Sequence, residues 1–501
     1  FFTECCVRCD GAGGICVELL YVVCGGCFVL CPTDGWSLTK RPVWAQARPR
    51  PDSAGLMPFP PPFAPAATAA SAGQEAVLAP PLKGWPHDGP EVPASQVGAQ
   101  GWNVLAGDLP LPVAVLKQDA LAHNIAWMAE FTRAWGVELV PHGKTTMSPQ
   151  LFRRQLEAGA WGISFATVMQ VAVGVAAGVR RALIANEVMD AADLAQLVAL
   201  RRRHPDLRVI FLVDSTAQLA VIESWHARQE EPVPPFEVLL EIGFGGGRTG
   251  VRSESEALAL AQALHASPAV HVSGIECYEG LWARGESDAD RVWVDTLMDR
   301  VDAVAVRCVD AGLFEGEEVL VSAGGSAVFD LVAARLTPTL GRPVRGLLRS
   351  GCYVTHDHGT YARMMDAMVP RLGRDGADAL RPALEVWALV QACPEPGLAI
   401  VGAGKRDLSF DMGMPVPIAR AASGQRTPQA VPAGWRIDGL NDQHAYLRWD
   451  ADDATLAAQA PVVGERIGLG ISHPCTTFDR WRWMPVVDDA YGVCDAVTLQ
   501  F

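Results

Sequence analysis

Three apolar runs recur at regular spacing in the middle of the chain: RVIFLV at residues 208–213, EVLLEI at 237–242 and VHVSGIEC at 270–277. Their aliphatic and β-branched composition is typical of buried strands, and segments of helical periodicity separate them. Eight such βα units in succession predict an α/β fold built on a (β/α)8 barrel, in which reactive residues follow the carboxyl ends of the strands. The candidate strands are Val113–Leu116, Glu138–Val140, Gly162–Ala166, Ala182–Ala185, Arg208–Val213, Glu237–Ile242, Val270–Cys277 and Glu318–Ser322.

The pattern changes after Thr360. Strand-like runs such as Leu384–Gln391 and His444–Trp449 are separated by Gly, Pro and Asp clusters, with no helical pattern between them. We therefore predict a barrel domain at 101–360 and a mainly β domain at 361–501. The segment before Leu111 is a candidate to add a strand to the β domain.

Residues 1–100 have a different composition. Seven of the 13 cysteines lie in the first 31 residues, where Cys6–Cys9 and Cys24–Cys27 have zinc-knuckle spacing, although the residues between them are apolar. The stretch 42–93 is rich in proline, so regular structure is expected only near Trp102. We interpret 1–100 as a disordered or non-native extension, and keep a membrane or export segment at 11–31 as the less favoured alternative.

The charge balance limits the possible partners. Acidic residues outnumber basic ones by 56 to 41, and the resulting formal charge of -15 would repel a polyanionic backbone. We expect a cytoplasmic protein that acts on a small molecule, with no nucleic-acid or membrane partner.

Lysine is scarce, which restricts any chemistry that needs a nucleophilic amine. Lys144 lies in PHGKTT at 141–146, directly after the second predicted strand and hence at the predicted barrel mouth. The alternative is an ordinary surface lysine, and position alone leaves both interpretations open. The other four lysines lie before the folded region, at the first crossover or in the second domain: Lys40, Lys83, Lys117 and Lys405.

Glycine-rich turns follow several predicted strands. Gly324, Gly325 and Ser326, after the eighth strand, offer backbone N–H groups and a hydroxyl that suit a phosphate. Arg248 ends the run GFGGGR at 243–248, and Tyr278 follows the seventh strand. A flexible-loop arginine and a core tyrosine are the alternatives for the last two.

His473 and Cys475 form the last candidate pair, in SHPCTTFD at 472–479. In an extended backbone, residues two apart face the same side, so both could ligate one metal ion and leave positions open for substrate and water. By spacing alone, a chance occurrence is the more frequent explanation.

Taken together, these residues resemble the fold-type III pyridoxal-phosphate (PLP) enzymes of the D-serine dehydratase and D-threonine aldolase family, including its bacterial amino acid deaminase members. The resemblance covers about residues 102–501 and implies an alanine-racemase-like barrel. The family's Pro-His-x-Lys-Thr motif matches Pro141 to Thr145, so it implies that Lys144 binds PLP as a Schiff base, with His142 beside it. The other residues that the resemblance assigns to the cofactor are Arg248 at the pyridine nitrogen, Tyr278 at the ring, Gly324, Gly325 and Ser326 at the phosphate, and Tyr353 in a Gly-x-Tyr element.

The resemblance also implies a metal site. D-serine dehydratases pair a histidine with a cysteine two residues on, as in His473-Pro474-Cys475, whereas D-threonine aldolases have aspartate at the second position. A thiolate favours zinc, with manganese as the alternative metal. One departure from the family is the segment from Arg349 to His358, which contains extra histidines.

The implied activity is removal of the β-hydroxyl from a D-3-hydroxy amino acid such as D-serine, giving a 2-keto acid and ammonia, in a homodimer. D-threonine-aldolase-like cleavage between Cα and Cβ and amino-acid racemisation are the alternatives. A non-catalytic PLP-binding protein is disfavoured because such proteins are usually a single barrel without a β domain.

Overall fold

The computed structural model of this protein describes residues 75–501, and the cysteine-rich segment with its zinc-knuckle spacing lies outside these residues. One sheet has eight parallel strands, and from Ile163–Phe165 onward each strand is paired with the next in chain order. The strands are Glu138–Leu139, Ile163–Phe165, Arg181–Glu187, Arg208–Val213, Phe236–Ile242, Val270–Cys277, Val319–Ala323 and Val344–Leu348.

The first and last strands of this sheet close it into a barrel. Leu347 and Leu348 pair in parallel with the strand Glu138–Leu139. On the other side of that strand, the Ser164 N–H donates to the Pro141 carbonyl at 2.9 Å. Because all eight strands run in one direction, their carboxyl ends meet at one mouth.

The barrel strands are buried on both faces, which explains their continuous apolar sequence. One buried cluster consists of residues on or beside the strands: Val140, Trp161, Leu183, Ile210, Leu212, Leu239, Leu320 and Leu347. Alternate strand residues such as Ile184, Val209 and Phe211 belong instead to the large core that includes the surrounding helices.

Helices follow most barrel strands, and several begin at a residue that caps them. The side chains of Ser148, Thr167, Asp190, Ser215 and Ser253 each accept a backbone N–H of the first helical turn. Between residues 75 and 501, no helix is long and apolar enough to cross a bilayer. The α-helices are Gln118–Trp135, Pro149–Glu157, Val168–Ala176, Ala191–Arg203, Thr216–Ala227, Glu254–Ala266, Ser287–Asp310, Phe329–Ala333, Thr360–Leu372, Ala454–Ala458 and Cys475–Phe478, and the 3-10 helices are Ala94–Gln100, Gly143–Thr145, Cys352–Val354 and Gly376–Asp378.

The second part of the chain is a mainly antiparallel β domain. Its longest strand, Leu384–Glu395, pairs with Arg466–Gly470 on one side and with Val113–Lys117 on the other. The remaining strands of the domain are Leu398–Val401, Val416–Ala421, Gln429–Ala430, Arg436–Leu440, Ala445–Arg448, Trp483–Val487 and Val493–Thr498. The predicted order of a barrel followed by a β domain is therefore confirmed.

One predicted barrel strand was wrong, and one barrel strand was not predicted. Val113–Leu116, predicted as the first barrel strand, belongs to the β sheet, where Val113 pairs with Trp387 and Leu116 with Leu384. The eighth barrel strand is Val344–Leu348, whose Arg345 and Gly346 hide its strand character in the sequence. Lys144 consequently follows the first barrel strand, and the Gly324–Gly325 turn follows the seventh.

Regular structure also begins earlier than the proline content predicted. Val77–Leu78 and Val92–Pro93 form an antiparallel pair. Trp85 is 1% exposed and packs edge-on against Trp102 and Trp483, with ring centroids 5.0 and 4.9 Å away. Residues 75–100 are therefore part of the packed structure, because their aromatic and aliphatic side chains complete the core of the β domain.

This packing predicts that Trp85→Ala destabilises the protein by about 3 to 5 kcal/mol, the usual cost of emptying a buried tryptophan site. Thermal unfolding of the variant and of Val77→Ala, whose side chain is 57% exposed, would measure the difference. Equal melting temperatures for the two variants would contradict the docking of this segment.

Candidate active site

Lys144 lies at the barrel mouth, in the 3-10 turn Gly143–Thr145 that follows the first strand. Its side chain is exposed in the single chain and makes no hydrogen bond or ion pair with the described residues. The turn is held close to the barrel because a Cβ at Gly143 would lie only 2.7 Å from Ile163. The structure thus presents a free amine from a fixed backbone, but this chain alone does not desolvate it.

His142 precedes Lys144 and packs in the barrel wall. Its Nδ1 lies 3.2 Å from the Ser164 carbonyl oxygen. Burial, followed by the positive charge of Lys144, lowers the pKa of His142 well below its usual range. His142 is therefore neutral at physiological pH and adds no positive charge next to the amine.

Arg248 and Tyr278 come together at the same mouth. The guanidinium carbon of Arg248 lies 5.0 Å from the centroid of the Tyr278 ring, within the range of a cation–π contact. The arginine loop is anchored at its end, since the Thr249 hydroxyl donates to Glu241 at 2.7 Å. Burial raises the pKa of Tyr278 to about 12, so the ring carries no charge.

The backbone N–H groups of the Gly324–Gly325 turn already have a hydrogen-bond acceptor, the side chain of Glu279. The N–H groups of Gly324 and Gly325 donate to the Glu279 carboxylate at 3.1 and 2.6 Å. Glu279 is fully buried and follows Tyr278 directly, so it holds the turn against the ring. The structure gives these two donors to a carboxylate, and a phosphate bound here would depend on Ser326 and its neighbours.

Ser326 and Tyr353 occupy different environments. The Ser326 hydroxyl accepts the Cys352 N–H at 3.1 Å, which ties the glycine turn to the 3-10 helix Cys352–Val354. The Tyr353 ring is buried in the core and its hydroxyl accepts from Gln155 at 3.0 Å. Of the predicted cofactor residues, Tyr353 has its side chain turned into the core rather than grouped with Arg248 and Tyr278.

His473 belongs to the β domain and is oriented by a carboxylate. Its Nδ1 lies 2.7 Å from Asp411 Oδ2, and the Thr476 hydroxyl donates to Asp411 Oδ1 at 2.8 Å. A carboxylate on one ring nitrogen is the usual support of a metal-ligating histidine, because it fixes the ring and directs the other nitrogen to the ion. Asp411 carried no recognisable signal in the sequence.

The assumption of an extended backbone at this pair was wrong. Pro474 has helical dihedral angles, and Cys475 is the first residue of the helix Cys475–Phe478. The two side chains therefore reach their partners from the start of a helix, not from one face of a strand.

Cys475 brings the β domain to the turn that carries Lys144. Its Sγ lies 3.4 Å from the Thr145 hydroxyl oxygen and 3.6 Å from Cys352 Sγ. The hydrogen bond with Cys352, aided by Thr145 and by the charge of Lys144, lowers the pKa of Cys475. The predicted lysine and thiol sites thus meet at one place, and Thr145 and Cys352 are the residues that sequence reasoning missed there.

The extra histidines in the segment from Arg349 to His358 are buried. Burial lowers the pKa of His356 to about 3 and that of His358 to about 4, so both imidazoles are neutral core groups. Asp357 accepts the N–H groups of Gly359, Tyr361 and Ala362, which begin the helix Thr360–Leu372. These two histidines are therefore buried side chains beside the start of this helix.

Two family models match the chain. "Alanine racemase, N-terminal domain" matches residues 116–341, and "Putative serine dehydratase domain" matches residues 383–487. A D-threo-3-hydroxyaspartate dehydratase from Delftia sp. (strain HT23) is 32% identical over 378 residues, which cover 74% of this chain and 92% of the relative. The chain belongs to the D-serine dehydratase and D-threonine aldolase family.

Other members of the D-serine dehydratase and D-threonine aldolase family are similar over most of the chain. A D-threonine aldolase from Arthrobacter sp. is 28% identical over 378 residues, covering 75% of this chain and 89% of the relative. The crystal structure of a D-threonine aldolase from Filomicrobium marinum matches with a TM-score of 0.65 at 26% identity, covering 79% and 96% of the two chains. Both named activities are those of lyases.

Two solved variants of a D-threo-3-hydroxyaspartate dehydratase share this fold, with TM-scores of 0.62 and 0.61 at 26% and 25% identity. Each covers 80% of this chain, and the matches span 98% and 100% of the variants. One variant has a histidine replaced by alanine. The other has a cysteine two positions further replaced, and it is described as a metal-free form. His473 and Cys475 have the same spacing.

The Glu279 contacts predict a stabilising role for this carboxylate. Glu279→Gln should lower the free energy of unfolding by about 1 to 3 kcal/mol, because an amide accepts at one end only and would direct its NH2 group against one of the two glycine N–H donors. Denaturant unfolding would measure this loss, with Glu317→Gln on the exposed surface as the matched control. A Glu279→Gln variant as stable as this control would contradict the assigned contacts.

Proposed function

We propose that this chain is a PLP- and metal-dependent lyase that removes the β-hydroxyl and the amino group of a D-3-hydroxy amino acid such as D-serine. The net reaction of D-serine would give pyruvate and ammonia. The observation that carries this proposal is the contact between the Cys475 thiol and Thr145, which brings the dehydratase-type His473–Cys475 pair next to Lys144. The dehydratase relative from Delftia sp. supports the same reaction class.

The mouth of the barrel fits PLP in three respects. Lys144 offers a free amine. The guanidinium of Arg248 lies over the Tyr278 ring, so the two groups offer a flat surface to an aromatic ring. Gly325 leaves the space beside Tyr278 open, because a Cβ there would lie 3.1 Å from the Tyr278 ring. Lys144 would hold the cofactor covalently, and Ser326 would contribute to the phosphate contacts. Bound PLP would supply an electron sink for the electrons released at Cα.

The chain's own residues have distinct tasks in this proposal. Lys144 Nζ would be the base that takes the Cα proton of the substrate. Arg248 cannot give up its proton, so it would leave the pyridine nitrogen unprotonated and weaken the ring as a sink for electrons. Such a site gains from a second group that assists departure of the hydroxide.

His473 and Cys475 are the residues that would hold this second group, a divalent metal ion. An imidazole with its Nδ1 bound to Asp411 and a thiol of lowered pKa form a donor set that suits zinc better than manganese. The ion would supply Lewis-acid polarisation of the substrate hydroxyl.

The second candidate function is cleavage between Cα and Cβ, as in the D-threonine aldolases among the relatives. It would use the same lysine and the same two-residue spacing of metal ligands. Cys475 disfavours it, because the resemblance gives aldolases an aspartate at this position. We also propose a homodimer, since Lys144 is exposed in the single chain and a second copy is the simplest means to exclude water from it.

We predict that Lys144→Ala abolishes the visible absorbance of bound PLP, because no other lysine amine within residues 75–501 lies at the mouth. Lys117→Ala and Lys405→Ala are the matched controls, since their amines lie against the Tyr491 and Phe410 rings, 4.0 and 5.2 Å from the ring centroids. Absorbance spectra and borohydride reduction followed by peptide mapping provide the measurement. A reduced adduct formed by the Lys144→Ala variant would overturn the lysine assignment.

We also predict that a chelator or Cys475→Ala suppresses keto-acid release from D-serine and D-threo-3-hydroxyaspartate while the PLP spectrum persists. The cofactor contacts do not involve the metal ligands, so the two effects should separate. Cys475→Asp should shift the metal preference toward harder ions and allow a trace of glycine release from D-threonine. Cys393→Ala, at an exposed thiol, is the control. Full keto-acid production by metal-free enzyme would remove the metal from the reaction.

A further inference from the structure

Three carboxylates from successive barrel strands meet at the mouth, apart from the residues proposed for catalysis. Glu187 ends the strand Arg181–Glu187, Asp214 follows Arg208–Val213, and Glu241 lies in Phe236–Ile242. One oxygen of each lies within 4.8 Å of the other two. A register shift between Ile184 and Glu187 marks a β-bulge, a feature that re-aims side chains at the ends of strands.

The carboxylates at this point lack enough donors. Glu241 is only 3% exposed, and its Oε1 accepts from the Thr249 hydroxyl while its Oε2 has no hydrogen-bond donor. The buried Glu187 Oε1 has no donor either. Within residues 75–501, no arginine or lysine forms an ion pair with any of the three carboxylates. Carboxylate oxygens that face one another without donors must share either a proton or a cation.

The arginines near this cluster have other partners. Glu276 is the strand neighbour of Glu241, and its own cation partner is Arg349. Arg248 lies over Tyr278 instead of over the carboxylates. Burial, together with the charges of Glu276 and Glu187, raises the pKa of Glu241 to about 10, as expected for a carboxylate without a cation partner.

We propose that Glu187, Asp214 and Glu241 bind a divalent cation, as a second metal site separate from His473 and Cys475. An all-oxygen set of three carboxylates selects a hard ion such as Mg²⁺ or Mn²⁺. The ion would take the place of the missing donors at Glu241 Oε2 and Glu187 Oε1. The inference does not depend on the proposed lyase activity.

The position of the site gives the ion a structural task. Two of its ligands hold the arginine loop, because Thr249 donates to Glu241 and the Gly250 N–H donates to Asp214 at 3.1 Å. A cation that fixes both carboxylates would therefore fix the loop that carries Arg248. Loss of the ion should loosen this loop without changing the His473–Cys475 region.

The test uses full-length protein with His473→Ala and Cys475→Ala, freed of metal, so that the other candidate site cannot contribute. Mn²⁺ alone is titrated in, and free Mn²⁺ is measured by electron paramagnetic resonance. We expect one Mn²⁺ per chain. Adding Glu241→Gln or Asp214→Asn should weaken binding about tenfold or more.

Two controls keep the result decisive. Glu317→Gln, at an exposed carboxylate, should leave Mn²⁺ affinity unchanged, and Glu187→Gln replaces a less buried member of the cluster if the Glu241 variant does not fold. The proposal would be overturned if the protein with His473→Ala and Cys475→Ala failed to bind Mn²⁺. It would also be overturned if this protein bound Mn²⁺ equally well with and without the substitutions at Glu241 or Asp214. Neither result bears on the proposed lyase activity, which the keto-acid assay of the unmodified protein tests separately.

Discussion

The contact of the Cys475 thiol with Thr145 and Cys352 is the interaction on which the candidate site depends. Thr145 adjoins Lys144 at the end of the first barrel strand, Cys352 follows the last one, and Cys475 belongs to the β domain. The strand Val113–Lys117 joins the β sheet before the barrel begins. The β domain is thereby built on both ends of the barrel sequence, and its helix Cys475–Phe478 lies at the mouth.

Charged side chains of both signs lie at the mouth of the barrel. Lys144 and Arg248 are the cationic residues of the candidate site, and burial lowers the pKa of His142 well below its usual range, so this imidazole is neutral. Glu241, Glu276 and Glu279 are buried acidic residues near Arg248 and Tyr278. Glu279 uses its charge to hold the glycine turn, while burial raises the pKa of Glu276 to about 7 despite its contact with Arg349. Glu279 is thus paired with backbone N–H groups, and Glu276 with Arg349.

The sequence was sufficient for seven of the eight barrel strands, because buried parallel strands appear as uninterrupted apolar runs. The pattern did not reveal the strand Val344–Leu348, because the charged residue Arg345 lies near its amino-terminal end, paired with Glu318 and Glu138. It also assigned Val113–Leu116 to the wrong sheet, since an apolar run does not specify its partner. The proline content before Trp102 concealed Trp85, whose burial depends on Trp483 nearly 400 positions later.

The candidate site shows the same division. Lys144, Arg248 and Tyr278 were predictable because short motifs place them at strand ends, whereas Asp411, Thr145 and Cys352 act through contacts distant in sequence. The central claim is that PLP on Lys144 and a metal on His473 and Cys475 share one site. A crystal structure of PLP- and zinc-loaded protein, with data collected on both sides of the zinc absorption edge, tests it most directly. We predict continuous density from Lys144 Nζ to the cofactor and an anomalous zinc peak in contact with His473 and Cys475. Cofactor density on another lysine, or zinc bound away from this pair, would contradict the claim.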